Sequence, residues 1–241
     1  MTQQELRREL TLANHILARE GLLAGLGHIS ARHPDKPDHF ILSRALAPNL
    51  VTVGDLHEFD LDGNLTDGSD INGYAERVIH AAVYAARPDV NCVCHNHAIE
   101  LLPFCNIGEA PKPVTHVGGM MGAHVPVWDN RIDFGDTQII VIKMEEAVSM
   151  ARALGANRCM LLRRHGALVV GKNIRETVFR SIVLRDNARV HLEASRLGEL
   201  SVLTEKEIEI SNALHESPRI LERVWDGWVA ELGPDIAAKL K

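Results

Sequence analysis

The sequence is poor in aromatic residues and has no long apolar run. Aromatic side chains make up 4% of the 241 residues, so a folded core must rest on leucine, valine, isoleucine and alanine. No stretch approaches the roughly 20 apolar residues that a membrane span needs, and the polar first residues do not resemble a signal peptide. We therefore expect a cytoplasmic protein with no membrane partner.

Cysteine and positive charge are also scarce. Four cysteines do not form the disulfide framework of a chain this long, and a net charge of -6 argues against a nucleic-acid partner. The hydrophobic share of 46% and the charged share of 24% are ordinary for a globular protein. Because no repeat or low-complexity linker divides the chain, we expect a single domain over 1–241.

The spacing of apolar residues predicts an α/β fold. Helical spacing predicts helices over 3–20, 72–86, 145–154 and 174–197, with further helices after 204. Short alternating or β-branched runs predict strands over 29–33, 40–43, 57–61, 91–97, 138–142, 159–163 and 167–170.

One predicted strand contains a His-x-His pair. Side chains alternate on a strand, so His95 and His97 point one way, while Cys92 and Cys94 point the other way. That alternation opposes a zinc clamp built from the cysteines, which we expect to be buried as small hydrophobic residues. With His165 from a later strand end, the pair predicts three imidazole ligands for a divalent metal, with positions left open for water or substrate.

The alternative is that the pair arose by chance in a chain with thirteen histidines. What favours the metal site is the third histidine, followed by glycine at a strand end, together with a buried acid. We expect no role for the histidines at 15, 39, 57, 80 and 215, which we place at the surface or in helices.

The acid is Glu76, which the predicted helix places on the same face as Ile79, His80 and Val83. A buried carboxylate is costly unless it pairs with a cation, binds metal or has a raised pKa. One interpretation is a pair with His80, or partial screening by Arg77. The other is that Glu76 reaches the metal site and moves protons there.

These residues resemble the class II aldolase/adducin family. The resemblance covers about 6–195 and rests on Glu76, on His95-x-His97 and on residues 161–166 (Leu-Leu-Arg-Arg-His-Gly). Supporting segments are 25–30 (Gly-Leu-Gly-His-Ile-Ser), 86–90 (Ala-Arg-Pro-Asp-Val), 187–188 (Asn-Ala) and 193–194 (Glu-Ala). The resemblance implies a three-layer α/β/α fold around a mostly antiparallel sheet. It also implies cyclic tetramers with active sites between subunits.

By the same resemblance, His95, His97 and His165 would hold one divalent ion per subunit, which could be zinc, manganese, iron or cobalt. Glu76 would act as acid and base, and in some members as a fourth ligand. The sugar-phosphate aldolases of the family have an Asn where this chain has His28 and a Thr-Gly where it has Ser43-Arg44. They have a pair of serines where it has Tyr74-Ala75.

These departures favour a flat carboxylated ring over a phosphate. Arg44 is suited to bind a carboxylate, Tyr74 to bound the ring, and Ser30 and Ser43 are further candidates for substrate binding. Alternatively, Arg44 is an exposed loop charge and Tyr74 packs at the start of the helix.

The pattern therefore resembles the decarboxylase branch of the family, which acts on hydroxylated phthalates and a pyridine dicarboxylate. The first hypothesis is a metal-dependent decarboxylase of a hydroxylated aromatic or heteroaromatic acid, with Glu76 or His28 as the catalytic acid. The second is an aldolase that cleaves a hydroxy-carbonyl compound through an enediolate. The third is an adducin-like interaction protein, which the complete set of histidines and Glu76 argues against.

Overall fold

Seven strands form one sheet in the computed structural model, which describes residues 1–241. The strands are β1 (His28–Arg32), β2 (His39–Ser43), β3 (Leu56–Asp60), β4 (Cys92–Asn96), β5 (Val127–Trp128), β6 (Cys159–Leu162) and β7 (Gly166–Gly171). Their order across the sheet is β3-β2-β1-β4-β7-β6-β5. Only β5 and β6 are parallel, so the expected mostly antiparallel sheet is confirmed.

Helices cover both faces of this sheet. They are α1 (Gln3–Arg19), α2 (Arg77–Ala86), α3 (Leu102–Ile107), α4 (Asn130–Phe134), α5 (Met144–Leu154), α6 (Ile174–Leu197), α7 (Glu205–His215), α8 (Pro218–Glu231) and α9 (Ile236–Lys239). Apolar side chains of α1, α6 and α8 pack on one face, and those of α2 and α5 pack on the other. The three-layer α/β/α arrangement is therefore confirmed.

The central strand β4 shows how the sequence assigns side chains to the two layers. Cys92 and Cys94 lie in the core beneath α1 and α6, and Val93 lies in the core beneath α2 and α5. His95 follows the same alternation and lies on the α2 side. All four cysteines are free and buried, as expected for small hydrophobic residues.

Two predicted elements differ from the structure. Residues 138–142 form no strand; the edge strand of the sheet is instead β5, and Ile139 has a positive φ of 73° that interrupts extended pairing. The helix predicted over 72–86 begins only at Arg77. Residues before it form other contacts, including a bridge between Arg44 and Gly73. By contrast, α6 has the predicted bounds.

No helix of the chain is both long enough and apolar enough to cross a membrane. The single domain over 1–241 stays a prediction.

A candidate metal centre at the end of the central strands

Three imidazole rings meet where β4 ends beside the turn between β6 and β7. Their centroids are 4.6 Å apart for His95 and His97, 4.8 Å for His95 and His165, and 5.0 Å for His97 and His165. The glycine after His165 permits this approach, because a Cβ on Gly166 would lie 2.3 Å from the backbone oxygen of Asn96. The structure thus brings together the three histidines that the sequence predicted as ligands.

A backbone contact determines which nitrogen His95 offers. Its Nδ1 lies 3.1 Å from the carbonyl oxygen of Ala167, which can only accept, so Nδ1 carries the hydrogen and Nε2 has a free lone pair. That Nε2 is buried and has no hydrogen-bond partner, and neither ring nitrogen of His165 has one. Buried polar atoms without partners are costly, so the cluster is suited to a bound cation.

Glu76 completes the cluster. Its Oε2 is 3.6 Å from Nε2 of His95, and its Oε1 is 3.5 Å from Nε2 of His165. Both distances are longer than a good hydrogen bond. Even so, one potential ligand atom from each of the four residues lies within 4.8 Å of the others. Three imidazole nitrogens and a carboxylate oxygen are a donor set that divalent metals accept, so the residues fit the ion that the family implies.

The protonation of these groups also fits a cation site. Burial lowers the pKa of His97 to about 3 and that of His165 to about 4, so both rings are neutral and able to act as ligands at neutral pH. Burial alone raises the pKa of the Glu76 carboxyl. Attraction to the imidazole rings of His95 and His165, which acts as these rings take up protons on acidification, outweighs burial and holds the pKa of Glu76 well below its usual range, so the group is a carboxylate at neutral pH.

Glu76 is positioned from two sides. It precedes the first residue of α2, and its Oε1 accepts a hydrogen bond of 2.9 Å from the backbone N–H of Val141. The interpretations in which Glu76 pairs with His80 or has a raised pKa are wrong. His80 bonds to His28 and Ser30 instead, and the pKa of Glu76 is lowered.

A cavity of about 440 Å³ opens onto the cluster. Its lining residues are Leu26, His28, Tyr74, Ala75, Glu76, His97, Ile140 and His165. This volume is within the range of small-molecule sites, and the ring of Tyr74 lies beside that of His28 with centroids 4.6 Å apart. The catalytic candidates and Tyr74 therefore share one cavity with the metal cluster.

Three other predicted substrate residues lie outside the lining of this cavity. Nε of Arg44 donates to Oδ1 of Asp55 at 2.7 Å, Ser43 is buried with an unpartnered hydroxyl, and the Ser30 hydroxyl bonds within the core. A role for these residues in substrate binding stays a prediction.

Sequence reasoning missed His80. We assigned it no role, but the structure buries it completely and places its ring against His28. The signal was present, since His80 occupies the same apolar helix stripe as Ile79 and Val83.

Comparisons with known proteins identify the family and the fold of the chain. Residues 8–192 match the family described as the class II aldolase and adducin N-terminal domain. The chain is 30% identical over 240 residues to the decarboxylase tropJ of Talaromyces stipitatus, covering 90% of each chain. It is 27% identical over 213 residues to the 3,4-dihydroxyphthalate decarboxylase of Arthrobacter keyseri, covering 82% of each. An L-fuculose 1-phosphate aldolase from Glaciozyma antarctica PI12 has the same fold. It aligns with a TM-score of 0.80 at 24% identity, over 99% of this chain and 92% of that one.

Proposed function

The chain belongs to the class II aldolase and adducin family, and on that premise we propose that it is a divalent-metal-dependent decarboxylase of a hydroxylated aromatic or heteroaromatic acid. The observation that carries the proposal is the histidine cluster opening onto a cavity bounded by the Tyr74 ring. Two relatives named as decarboxylases, one of them for 3,4-dihydroxyphthalate, support this choice over an aldolase.

His95, His97 and His165 are the proposed metal ligands, with Glu76 as a fourth. A divalent ion bound there supplies a Lewis acid that stabilises negative charge on substrate oxygens. Nitrogen and carboxylate ligands suit zinc, manganese, iron and cobalt alike, so we propose one divalent ion per subunit without choosing among them.

The proposed reaction replaces a carboxylate on the ring with hydrogen. The proton of a ring hydroxyl moves to the carbon that bears the carboxylate, which gives a ketone-like form. The carbon–carbon bond then breaks, carbon dioxide leaves, and the electron pair returns to the oxygen, which takes a proton from water. Glu76 and His28, which both line the cavity, are the candidate groups for this proton transfer.

We further propose a homotetramer with active sites between subunits, acting in the cytoplasm. Two apolar side chains that line the cavity support the assembly, because Leu26 is 73% exposed and Ile140 is 41% exposed in the single chain. Exposed apolar side chains at one place are typical of a surface that a partner covers. Ile132, at 82%, is another large apolar side chain left in water. Sedimentation at micromolar concentration tests this, and a monomer would contradict shared sites.

The test is carbon dioxide release from dihydroxyphthalates, hydroxypyridine dicarboxylates and hydroxybenzoates, with added manganese and with a chelator. We expect release that the chelator abolishes and that His95→Ala loses. A matched change at the exposed His124, His124→Ala, should leave it intact. Silence across the panel, with aldehyde formed from hydroxy-carbonyl substrates, would make the enzyme an aldolase. Silence in both assays would favour an interaction protein.

A further inference from the structure

A chain of buried hydrogen bonds runs from the core to the cavity. The hydroxyl of Tyr84 is 2.8 Å from Oγ of Ser30, and that Oγ is 2.6 Å from Nδ1 of His80. Nε2 of His80 is in turn 2.6 Å from Nδ1 of His28, which lines the cavity. None of the four side chains is more than 1% exposed, so water does not complete any of these bonds.

The direction of hydrogen donation along these bonds follows from Tyr84, the side chain at the end farthest from the cavity. The Ser30 oxygen can accept the hydrogen of the Tyr84 hydroxyl, whereas the backbone N–H of Val93, which also contacts that hydroxyl, can only donate. Burial raises the pKa of Tyr84 well above its usual value, so the hydroxyl keeps its hydrogen. Running the chain in the opposite direction would leave this hydrogen buried without an acceptor, at a cost of about 1–3 kcal/mol.

Each later bond is then determined by the one before it. Ser30 accepts from Tyr84, and its own hydrogen has no acceptor within the chain other than Nδ1 of His80, to which it donates. His80 therefore has its hydrogen on Nε2 and donates it to Nδ1 of His28. Since Nδ1 of His28 accepts, the hydrogen of His28 is on Nε2, which makes no hydrogen bond within the chain.

We infer that Tyr84, Ser30 and His80 are positioning residues that hold His28 as a hydrogen-bond donor, with its Nε2–H available to an oxygen of the bound substrate. The inference rests on the proposed function, in which that oxygen belongs to a carboxylate or hydroxyl of an aromatic acid. Ser30 then acts two hydrogen bonds away from His28 and three away from the substrate, and the N–H of His28 orients the substrate.

The first test is nitrogen NMR of the metal-free protein labelled at its histidines. The His28 signals, identified by their loss in His28→Gln, should show a hydrogen on Nε2 and a lone pair on Nδ1. Ser30→Ala and Tyr84→Phe interrupt the chain at two points, and each should yield a measurable fraction with the hydrogen on Nδ1. Ser181→Ala, another fully buried serine on the opposite side of the sheet, should leave the pattern unchanged.

Kinetics of the metal-loaded enzyme form the second test. Ser30→Ala and Tyr84→Phe should each lower kcat/KM about tenfold, a change of about 1.4 kcal/mol. His28→Gln retains an N–H donor and should keep more activity than His28→Leu. In the His28→Gln background, where no imidazole tautomer remains to be set, Ser30→Ala should have no further effect.

The two measurements separate this inference from the proposed function. A hydrogen on Nδ1 of His28 in the unsubstituted protein, or a tautomer unchanged by both Ser30→Ala and Tyr84→Phe, overturns the inference whatever the activity. An additive loss in the His28→Gln background also overturns it. A protein with the expected tautomer that releases no carbon dioxide refutes only the decarboxylase.

Discussion

Removal of the bound metal should lower the stability of the whole protein, because its proposed ligands lie in the folded core. His95 is fully buried, and its Nε2 and both nitrogens of His165 have no partner within the chain. The ligands come from β4 and the residue after it, from the turn after β6 and from the residue before α2, which unfolding would separate. A cation held by all of them therefore binds the folded state in preference to the unfolded one.

The size of the effect follows from mass action. At a free metal concentration about 1,000 times Kd, preferential binding to the folded state adds about 4.1 kcal/mol. For a chain of this length, each kcal/mol shifts the melting temperature by roughly 2–4 °C, so chelation should lower it by about 8–16 °C. His95→Ala should cost the metal-free protein about 1–3 kcal/mol and should abolish most of the metal-dependent shift.

Differential scanning calorimetry with chelator, and with zinc, manganese or cobalt restored, measures both quantities. Metal content after gel filtration is the independent check. His124→Ala removes an exposed histidine outside the cluster and should keep the full metal-dependent shift. The metal assignment is refuted if no metal raises the melting temperature of the unsubstituted protein. A shift of full size in His95→Ala would likewise show that the ion binds elsewhere.

Three further outcomes follow from the site. Tyr74→Ala should raise KM about tenfold while Tyr74→Phe changes it little, because the ring bounds the cavity; equal effects in steady-state kinetics would contradict this. Arg44→Ala should cost about 0–1 kcal/mol of stability, since Arg44 pairs with Asp55, and should raise KM if Arg44 also binds the carboxylate; a KM within about twofold would remove it from the substrate site. The pKa values of His97 and His165, about 3 and about 4, lie below the ordinary 6.5, so the unfolded chain takes up protons first. Metal-free stability should then be constant above about pH 6.5 and fall as the pH drops toward 4, by up to about 1.4 kcal/mol per pH unit for each histidine. Urea unfolding at a series of pH values checks this, and a rise on acidification would contradict it.

Local patterns in the sequence predicted the parts of the site that one strand determines. The period of two placed His95 opposite Cys94, and the structure shows that alternation in β4. The long helix α6 was predicted with its observed bounds, because the spacing of its apolar residues acts within a few residues.

The rest depends on contacts between segments far apart in the chain. Residues 138–142 have the composition of a strand, but Val141 donates its N–H to Glu76, sixty-five residues earlier, and no strand pairs with this segment. Likewise, His80 is an ordinary helix residue by local pattern, and its role depends on Ser30 and His28 of the adjoining strand. Helical or strand periodicity contains no information about such partners.

In the proposed function, metal binding and substrate choice depend on different residues of the same cavity. The cluster of His95, His97, His165 and Glu76 can stabilise an oxyanion in a decarboxylation or in an aldol cleavage, so it does not distinguish the two. In the proposed function the distinction would belong to Tyr74 and His28, which line the cavity beside the cluster, with the His28 ring centroid 5.2 Å from that of His95. In the proposed function, a flat ring would pack against Tyr74, and the N–H that we infer on Nε2 of His28 would meet one oxygen of its carboxylate. That pair is therefore where a change of substrate class would first have to be made.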